Sequence, residues 1–499
     1  MQIRMRLLQN SRKQSRKENN MVRNFAAIAA ICILMTGCTS YGTAENLPSE
    51  TDTASAAEMT CIQEDAFYQR AFRSKDHSVS FQFDFSGPVS AGAVPQMTVT
   101  PHDLREQDVK KTAEILFGKV DFYAPQPRFA AVYTRDEIKS KLARWIPYTD
   151  EAAAEKLFGE PVTYAIPVIQ KSLEDYQNLL ESAPDTVNKT PCPWKYQPSW
   201  HYSYTEDQIE AANILVSEDV EIQAESIVDG IPYIFTAASK NVDQSHYNTL
   251  YAGVNLGISP WDIDKRILER ELCRVQKPSK EDADRIGAAA EAKLNDMPFG
   301  KWKVQKSKIV ELEYGKYKEY QILVSAAPVI HGYSAIERPP LAELQNPESH
   351  LPIYPLSSAE FLFAPNGTLL HFTLNAPTDF SAADHIASAL LSTDALLRSA
   401  EDYFKESNVQ EYGIGIMPDD GADSIECEVI LSSIRYGITR MREPDATGSY
   451  TYVPAIGFYG STKTWDPATG EIYAEDEDRT FLILNATNGE VIPLYDTEN

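Results

Sequence analysis

The segments Phe361-Leu362-Phe363-Ala364-Pro365-Asn366-Gly367-Thr368-Leu369-Leu370 and Ile483-Leu484-Asn485-Ala486-Thr487-Asn488-Gly489-Glu490-Val491-Ile492 decide how the C-terminal half of this chain folds. In each segment an Asn-Gly pair separates two short apolar runs. Asn and Gly tolerate the positive φ angles of a type I′ turn, so both segments are predicted to form β-hairpins. The two segments align with one offset, which indicates that two similar units end in the same way.

Each hairpin follows a helix pattern and further strand patterns. Ser279 with Asp282 three residues later marks a helix start, and Pro298 ends that helix. Strands are then predicted at residues 302–314, 317–326, 360–363 and 368–374. In the second unit a helix is predicted over residues 383–404, broken near Ser392, and strands follow at residues 425–442, 450–459, 480–484 and 490–493. Duplication is one explanation of this similarity; the other is that Asn-Gly hairpins are common.

The N-terminal half also mixes strands and helices. Val79, Phe81, Phe83 and Phe85 alternate with polar residues, as in a half-buried strand. A second strand is predicted at residues 97–100, and helices at residues 103–117, 152–158 and 173–180. The fold class predicted for the whole chain is therefore α+β, built from several units in which a helix precedes an antiparallel β-meander.

A stretch dense in Pro, Trp and Tyr follows at residues 191–204. Its rings could stack on a sugar or a proline-rich peptide, or could pack as a linker against a neighbouring domain. The predicted segments are a signal peptide (1–37), a flexible stalk rich in Ser, Thr, Ala and Glu (38–60), an N-terminal α+β region (61–190), a linker with a middle α+β region (191–278), and two helix-plus-meander units (279–380 and 381–499).

The N-terminus carries a lipoprotein signal. A basic segment precedes an apolar run that ends in Met35-Thr36-Gly37-Cys38, and this run is shorter than the roughly 20 residues that span a bilayer. Small residues before Cys38 admit a signal peptidase, so its thiol is predicted to carry a diacylglyceryl group and palmitate. The alternatives are an ordinary cysteine after another signal, or an uncleaved anchor. Met21 is a second candidate start.

Composition limits the function classes. The chain of 499 residues has 46 Lys+Arg, 72 Asp+Glu and a formal net charge of −26, which argues against nucleic acid as a partner. A hydrophobic content of 43% favours packed domains over disorder. Cys61, Cys192, Cys273 and Cys427 lie far apart and predict no zinc site, whereas disulfides and free thiols remain equal alternatives.

Catalytic and cofactor motifs are not evident in the sequence. The chain has no GxSxG, HExxH or GxxxxGK[ST] pattern, so no catalytic residues, cofactor or metal ligands are predicted. Two acidic stretches, at residues 419–423 and 475–478, are predicted as solvated loops rather than calcium sites because neither follows the EF-hand order.

The chain resembles an uncharacterised family of clostridial cell-surface lipoproteins. The resemblance lies in Phe81-Gln82-Phe83-Asp84-Phe85, Ala359-Glu360-Phe361, Ile434-Arg435-Tyr436-Gly437, Tyr452-Val453-Pro454-Ala455-Ile456-Gly457-Phe458-Tyr459 and the closing Asn488-Gly489. The last elements are also similar to PepSY-type modules and to extracytoplasmic regulators of sensor kinases. This resemblance implies a binding or regulatory role without naming a ligand.

The resulting hypothesis is a lipoprotein on the outer face of the cell membrane, held there by Cys38 and acting without catalysis as a binding or regulatory module. Its expected partners are the membrane and an envelope protein or peptide. The alternatives are an envelope hydrolase with a carboxylate-based site and a solute-capture lipoprotein.

Overall fold

The computed structural model describes residues 64–89, 93–125, 132–159, 166–198, 220–242, 245–254, 263–330, 332–336, 357–379, 386–408, 425–441 and 450–492. Within these residues the chain forms seven α-helices and two mostly antiparallel sheets, so the predicted α+β class is confirmed. The signal segment, the stalk and Cys38 lie outside the described residues. In the described part, no helix combines the length and apolarity needed to cross a bilayer.

The helices are α1 (Glu106–Phe117), α2 (Arg135–Trp145), α3 (Glu151–Phe158), α4 (Ile166–Leu180), α5 (Ile263–Cys273), α6 (Lys280–Asp296) and α7 (Thr393–Glu406), with a 3₁₀ turn at Ile146–Thr149. The strands are β1 (Glu64–Arg73), β2 (Val79–Val89), β3 (Ala93–Pro101), β4 (Gln197–Pro198), β5 (Val220–Val228), β6 (Ile231–Val242), β7 (Ser245–Val254), β8 (Lys301–Tyr314), β9 (Tyr317–Ile330), β10 (Tyr333–Ser334), β11 (Ser358–Phe363), β12 (Leu369–Asn375), β13 (Thr378–Asp379), β14 (Ile386–Ala389), β15 (Glu426–Met441), β16 (Tyr450–Trp465), β17 (Ile472–Asn485) and β18 (Val491–Ile492).

Both sheets combine segments that are distant in the sequence. The first sheet has the order β1-β2-β15-β16-β17-β18, and β3 joins it by pairing with β16. The second sheet runs β9-β11-β12-β7-β6-β5-β4, and β9 also pairs with β8 and β10. β2 and β15 are parallel, whereas the other strand pairs are antiparallel. The boundaries of the six segments predicted from the sequence, from the signal peptide to the second helix-plus-meander unit, stay a prediction.

Helices cover one face of each sheet. Helix α7 packs on the first sheet, where the rings of Phe81 and Phe404 lie 5.0 Å apart. Helices α1 and α6 bury Val109 and Leu294 against the second sheet, on the same side as Phe361 and Phe372. Helices α2 to α5 form a separate apolar cluster beside the second sheet. The fold therefore has two helix-on-sheet layers and a separate helical cluster. We call this cluster, α2 to α5, the helical annex.

Both Asn-Gly hairpins form, but their turns are not type I′. Only the glycines have positive φ, 88° at Gly367 and 78° at Gly489. The N–H of Gly367 donates to the C=O of Ala364 at 2.9 Å, whereas the N–H of Gly489 donates one residue further back, to Asn485 at 2.8 Å. The second loop is thus one residue longer, which explains the offset between the two segments.

Two local predictions were wrong. The predicted helix at residues 383–404 is replaced at its start by β14, because Ile386 to Ala389 pair with β3, and the helix begins only at Thr393 with Ser392 as its N-cap. The acidic stretch at residues 475–478 lies inside β17 rather than in a loop, because β17 pairs with β16 around an irregularity between Gly460 and Thr462. In both places long-range pairing overrides the local pattern.

Candidate binding cleft between the two sheets

A cleft of about 310 Å³ opens where the two sheets meet. Its lining comes from β8 and the segment 334–336 on one side, and from β15 and β16 on the other. The lining residues are Gln305, Ser334, Ala335, Ile336, Ile434, Arg435, Tyr436 and Tyr459. We call this site the junction cleft.

The segment 334–336 carries the chain from the second sheet onto the first. The N–H of Ala335 donates to the C=O of Pro328 at 2.8 Å, and the N–H of Ile336 donates to the C=O of Ile438 at 2.8 Å. A Cβ at Gly437 would lie 2.3 Å from the carbonyl oxygen of Ser334. Glycine at this position therefore permits the close approach that joins the sheets.

Buried side chains reinforce this junction. Ala327 and Ile330 of the second sheet pack with Ala335, Ile438 and Tyr452. The hydroxyl of Tyr452 donates to Ser357 Oγ at 3.2 Å, and Ser357 Oγ donates to the C=O of Ala376 at 2.6 Å. These contacts connect the two sheets beside the cleft.

The floor of the cleft includes a gap in the pairing along one edge of β15. On this edge β15 pairs with β2 as far as Leu431, and the next pairing within the described residues is the bridge between Ala335 and Ile438. Backbone groups alternate in direction along a strand, so Ile434 and Tyr436 present their N–H and C=O to the same edge as Ile438. These backbone groups face the cleft.

One wall pairs a cation with an aromatic ring. The guanidinium of Arg435 lies over the ring of Tyr459, 4.5 Å from its centroid. Arg435 is opposite Gly457 in the sheet, and a Cβ at Gly457 would lie 2.8 Å from Tyr459 Oη and 3.0 Å from Ile336 Cγ2. The missing side chain at Gly457 is what lets Tyr459 and Ile336 close over the sheet here.

The lining residues carry one positive charge and no negative charge. Arg435 supplies the charge, and Gln305, which is bulged out of the β8 ladder, supplies an amide from the second sheet. Tyr436 is turned toward Thr393, with 2.9 Å between the two hydroxyl oxygens, and burial raises the pKa of Tyr436. Such a lining can bind an anionic group but offers no nucleophile with a general base.

A second polar cluster lies where the helical annex meets the β8–β9 hairpin. Glu319 is buried and accepts from Arg266 at 2.9 and 3.1 Å and from Arg274 at 2.7 and 3.1 Å. The two arginines also donate to the C=O groups of Lys156 and Leu157, in the last turn of α3. Every charge in this cluster has a partner, which indicates a structural role rather than an open site. We call the cluster of Arg266, Arg274 and Glu319 the joint, because it connects α3 and α5 to the β8–β9 hairpin.

The arginines of this joint also stack on tyrosines. Arg266 lies 4.4 Å from the ring centroid of Tyr314, and Arg274 lies 4.2 Å from that of Tyr317. Neighbouring Cys273 is buried, and burial raises the pKa of its thiol to about 12. The cysteines of the described residues are free and buried: Cys192, Cys273 and Cys427.

The described part of the Pro/aromatic stretch packs against the protein. The ring of Trp194 contacts Phe122 edge-on at 5.1 Å, and Lys110 lies 4.7 Å from the Trp194 ring centroid. The hydroxyl of Tyr196 donates to the C=O of Leu104 at 2.8 Å, and burial raises the pKa of Tyr196 to about 12. Trp194 therefore packs beside α1, whereas Tyr196 is tied to Leu104 but stays 41% exposed. Residues 199–204 lie outside the described residues.

The sequence predicts strands that include residues 434–437 and 452–459, but it predicts no binding role for them. The available signal was a glycine inside each strand pattern, because such a glycine often marks a close backbone approach. Gly437 and Gly457 have that function. Among the described residues, no cluster of three or more His, Cys, Asp or Glu side chains is arranged to hold a metal ion.

No family model matches the chain, and no curated protein matches it. The crystal structure of an uncharacterized protein from Eubacterium rectale ATCC 33656 is similar with a TM-score of 0.33 and 10% sequence identity, covering 83% of this chain and 91% of that chain.

Proposed function

We propose that this chain is anchored by lipid to the outer face of the cell membrane and acts as a non-catalytic binding or regulatory module of the cell envelope. The observation that carries the binding role is the junction cleft, which is lined by both sheets. The motif ending at Cys38 supports the location. Together they favour a protein that captures a ligand or partner outside the cytoplasm.

The lining chemistry favours binding over hydrolysis. Glycoside hydrolysis ordinarily uses two carboxyl groups flanking the bond, and acyl transfer uses a nucleophile with an adjacent base. The cleft is lined instead by an arginine, an amide, two tyrosines and small or aliphatic residues. Concave sites with a few placed polar groups are the usual form of ligand pockets.

The position of the cleft also favours a regulatory role. Its walls belong to different sheets, so a ligand that contacts both walls stabilises one arrangement of the junction. A ligand that prefers one conformation shifts the population toward it by its differential affinity. An envelope regulator could report a bound ligand to its partner in this way.

The location is tested by lipid labelling of the full chain in a Gram-positive host fed an alkyne analogue of palmitate. We expect the wild-type chain to be labelled and to sediment with membranes. Cys38→Ser should lose both properties, whereas the matched control Cys61→Ser should retain them. Labelling of Cys38→Ser at the wild-type level contradicts the proposed anchor.

The non-catalytic role is tested by incubating the purified full chain with peptidoglycan, glycans and peptides and analysing the products by mass spectrometry. We expect no turnover above that of a heat-inactivated sample. Reproducible cleavage that is lost in a cleft variant such as Arg435→Gln refutes the non-catalytic role and leaves the anchoring result intact.

A further inference from the structure

We propose that the junction cleft binds the C-terminal end of a short peptide, with Arg435 holding the carboxylate and the open edge of β15 pairing with the peptide backbone. This inference rests on the proposed binding role and specifies its ligand class.

The first argument is the state of Arg435. Its guanidinium lies over the ring of Tyr459, and among the described residues no carboxylate lies within ion-pairing distance of it. The guanidinium N–H groups have no hydrogen-bond acceptor among the described residues. An arginine held in this way matches the two oxygens of a carboxylate through parallel hydrogen bonds.

The second argument comes from a comparison within the molecule. Arg266 and Arg274 also lie over tyrosine rings, at centroid distances of 4.4 and 4.2 Å, and both bind the carboxylate of Glu319. Arg435 lies at a similar distance from the ring of Tyr459, 4.5 Å from its centroid. Among the described residues, this third arginine–tyrosine pair has no carboxylate like the one that the other two share.

The third argument is the edge of β15. Ile434 and Tyr436 turn their backbone N–H and C=O toward the cleft, between the end of the β2 pairing at Leu431 and the bridge at Ile438. An extended peptide can add to such an edge through main-chain hydrogen bonds. A ligand with an amide backbone therefore uses groups that a simple organic acid leaves unpaired.

The size of the cleft limits the length of the ligand. A volume of about 310 Å³ is at the lower end of the usual range for ligand pockets, roughly 300 to 1,000 Å³. Ile336 and Tyr459 supply apolar contact for one side chain, and the amide of Gln305 lies on the opposite sheet. A dipeptide or the last two residues of a peptide fits this space.

The experiment is isothermal titration calorimetry of the full chain in detergent micelles with four dipeptides: Ala-Ala, Ala-Phe, Ala-Lys and Ala-Glu. Each is compared with its C-terminal amide, which keeps the shape and removes the charge. We expect at least one free acid to bind with Kd below about 1 mM and its amide to bind at least about tenfold more weakly, as the loss of a charge-assisted hydrogen bond implies.

Variants then assign the charge to Arg435. Arg435→Gln should weaken binding at least about tenfold, and Arg435→Lys should retain part of the affinity. Arg398→Gln, at an exposed position on α7, is the matched control and should leave binding unchanged. If Arg435→Gln fails to fold, Arg435→Lys and the acid-against-amide comparison on the unaltered chain still decide the question.

The proposal is overturned if none of the free acids binds, if the amides bind equally well, or if the control weakens binding as much as Arg435→Gln. These outcomes are separate from failure of the proposed anchor. Loss of dipeptide binding leaves the palmitate labelling of Cys38 unaffected, and loss of labelling leaves the cleft unaffected.

Discussion

Glu319→Ala is the substitution whose effect on stability follows most directly from the structure. Glu319 is 1% exposed and accepts four hydrogen bonds from two arginines. Truncating it leaves two guanidiniums at a buried joint without their carboxylate. Removing one partner of a buried ion pair costs about 3 to 5 kcal/mol, so we expect Glu319→Ala to destabilise the joint by about that amount.

The matched control is Glu401→Ala. Glu401 also lies between two cations, Arg70 and Lys405, each with an N···O distance of 2.8 Å. Its side chain is 18% exposed, against 2% for Glu319, and its partners lie at the surface. Exposed ion pairs contribute about 0 to 1 kcal/mol, so this control should have a small effect.

Hydrogen exchange with mass spectrometry measures the difference locally, in the elements that contact each carboxylate. We expect exchange in α5 and in the β8–β9 hairpin to accelerate at least about a hundredfold in Glu319→Ala. Exchange in β16 should be unchanged. If Glu319→Ala and Glu401→Ala alter exchange in α5 equally, the assignment of this cluster as a buried joint is wrong.

Three other predictions concern separate parts of the molecule. Burial lowers the pKa of His371 to about 4, so the unfolded chain takes up a proton first as the pH falls below about 6.5. We therefore expect stability to be lost between about pH 6.5 and 4, by up to about 1.4 kcal/mol per pH unit, and His371→Gln to remove this slope in urea titrations at several pH values. Gly437→Ala forces a Cβ against the carbonyl oxygen of Ser334 and should lower the free energy of thermal unfolding by about 1 to 3 kcal/mol. The control Ser433→Ala, on the same strand, should lower it less, and equal effects would contradict the close approach at Gly437. The buried thiols of Cys192, Cys273 and Cys427 should resist iodoacetamide in the folded chain and react after unfolding. Peptide mapping by mass spectrometry measures this labelling, and rapid labelling of the folded chain would contradict their burial.

The elements that could be predicted from the sequence are those with local signals. The capping box of Ser279 and Asp282 forms at the start of α6, and the strands of the first C-terminal unit lie within a few residues of their predicted positions. Both Asn-Gly hairpins are present because a glycine at the loop end accepts the left-handed conformation that other residues resist. Their loop type was not predicted, since the loop length depends on which carbonyl accepts the closing hydrogen bond.

The pairing of distant strands could not be predicted in this way. The alternation of Val79, Phe81 and Phe83 indicates a half-buried strand, but it contains no information about β15 as the neighbour. Residues 386–389 carry a helix-like pattern and become a strand because β3 lies beside them. In both cases the deciding interaction joins residues nearly 300 or more positions apart, whereas a sequence window of 10 to 20 residues records only local preference.

The junction cleft depends on the same long-range pairing, which explains why its residues gave no recognisable motif. β2 ends the pairing of β15 at Leu431, and the segment 334–336 resumes it at Ile438, so the gap between them exists only when both segments have reached β15. Arg435 and Tyr459 then lie together because β15 and β16 are paired neighbours. No contiguous part of the chain contains the whole site. A chain lacking β2 would leave the edge of β15 unbounded at one end, and one lacking residues 334–336 would lose Ile336 from the wall of the cleft. The cleft and the junction of the sheets are therefore properties of the complete fold.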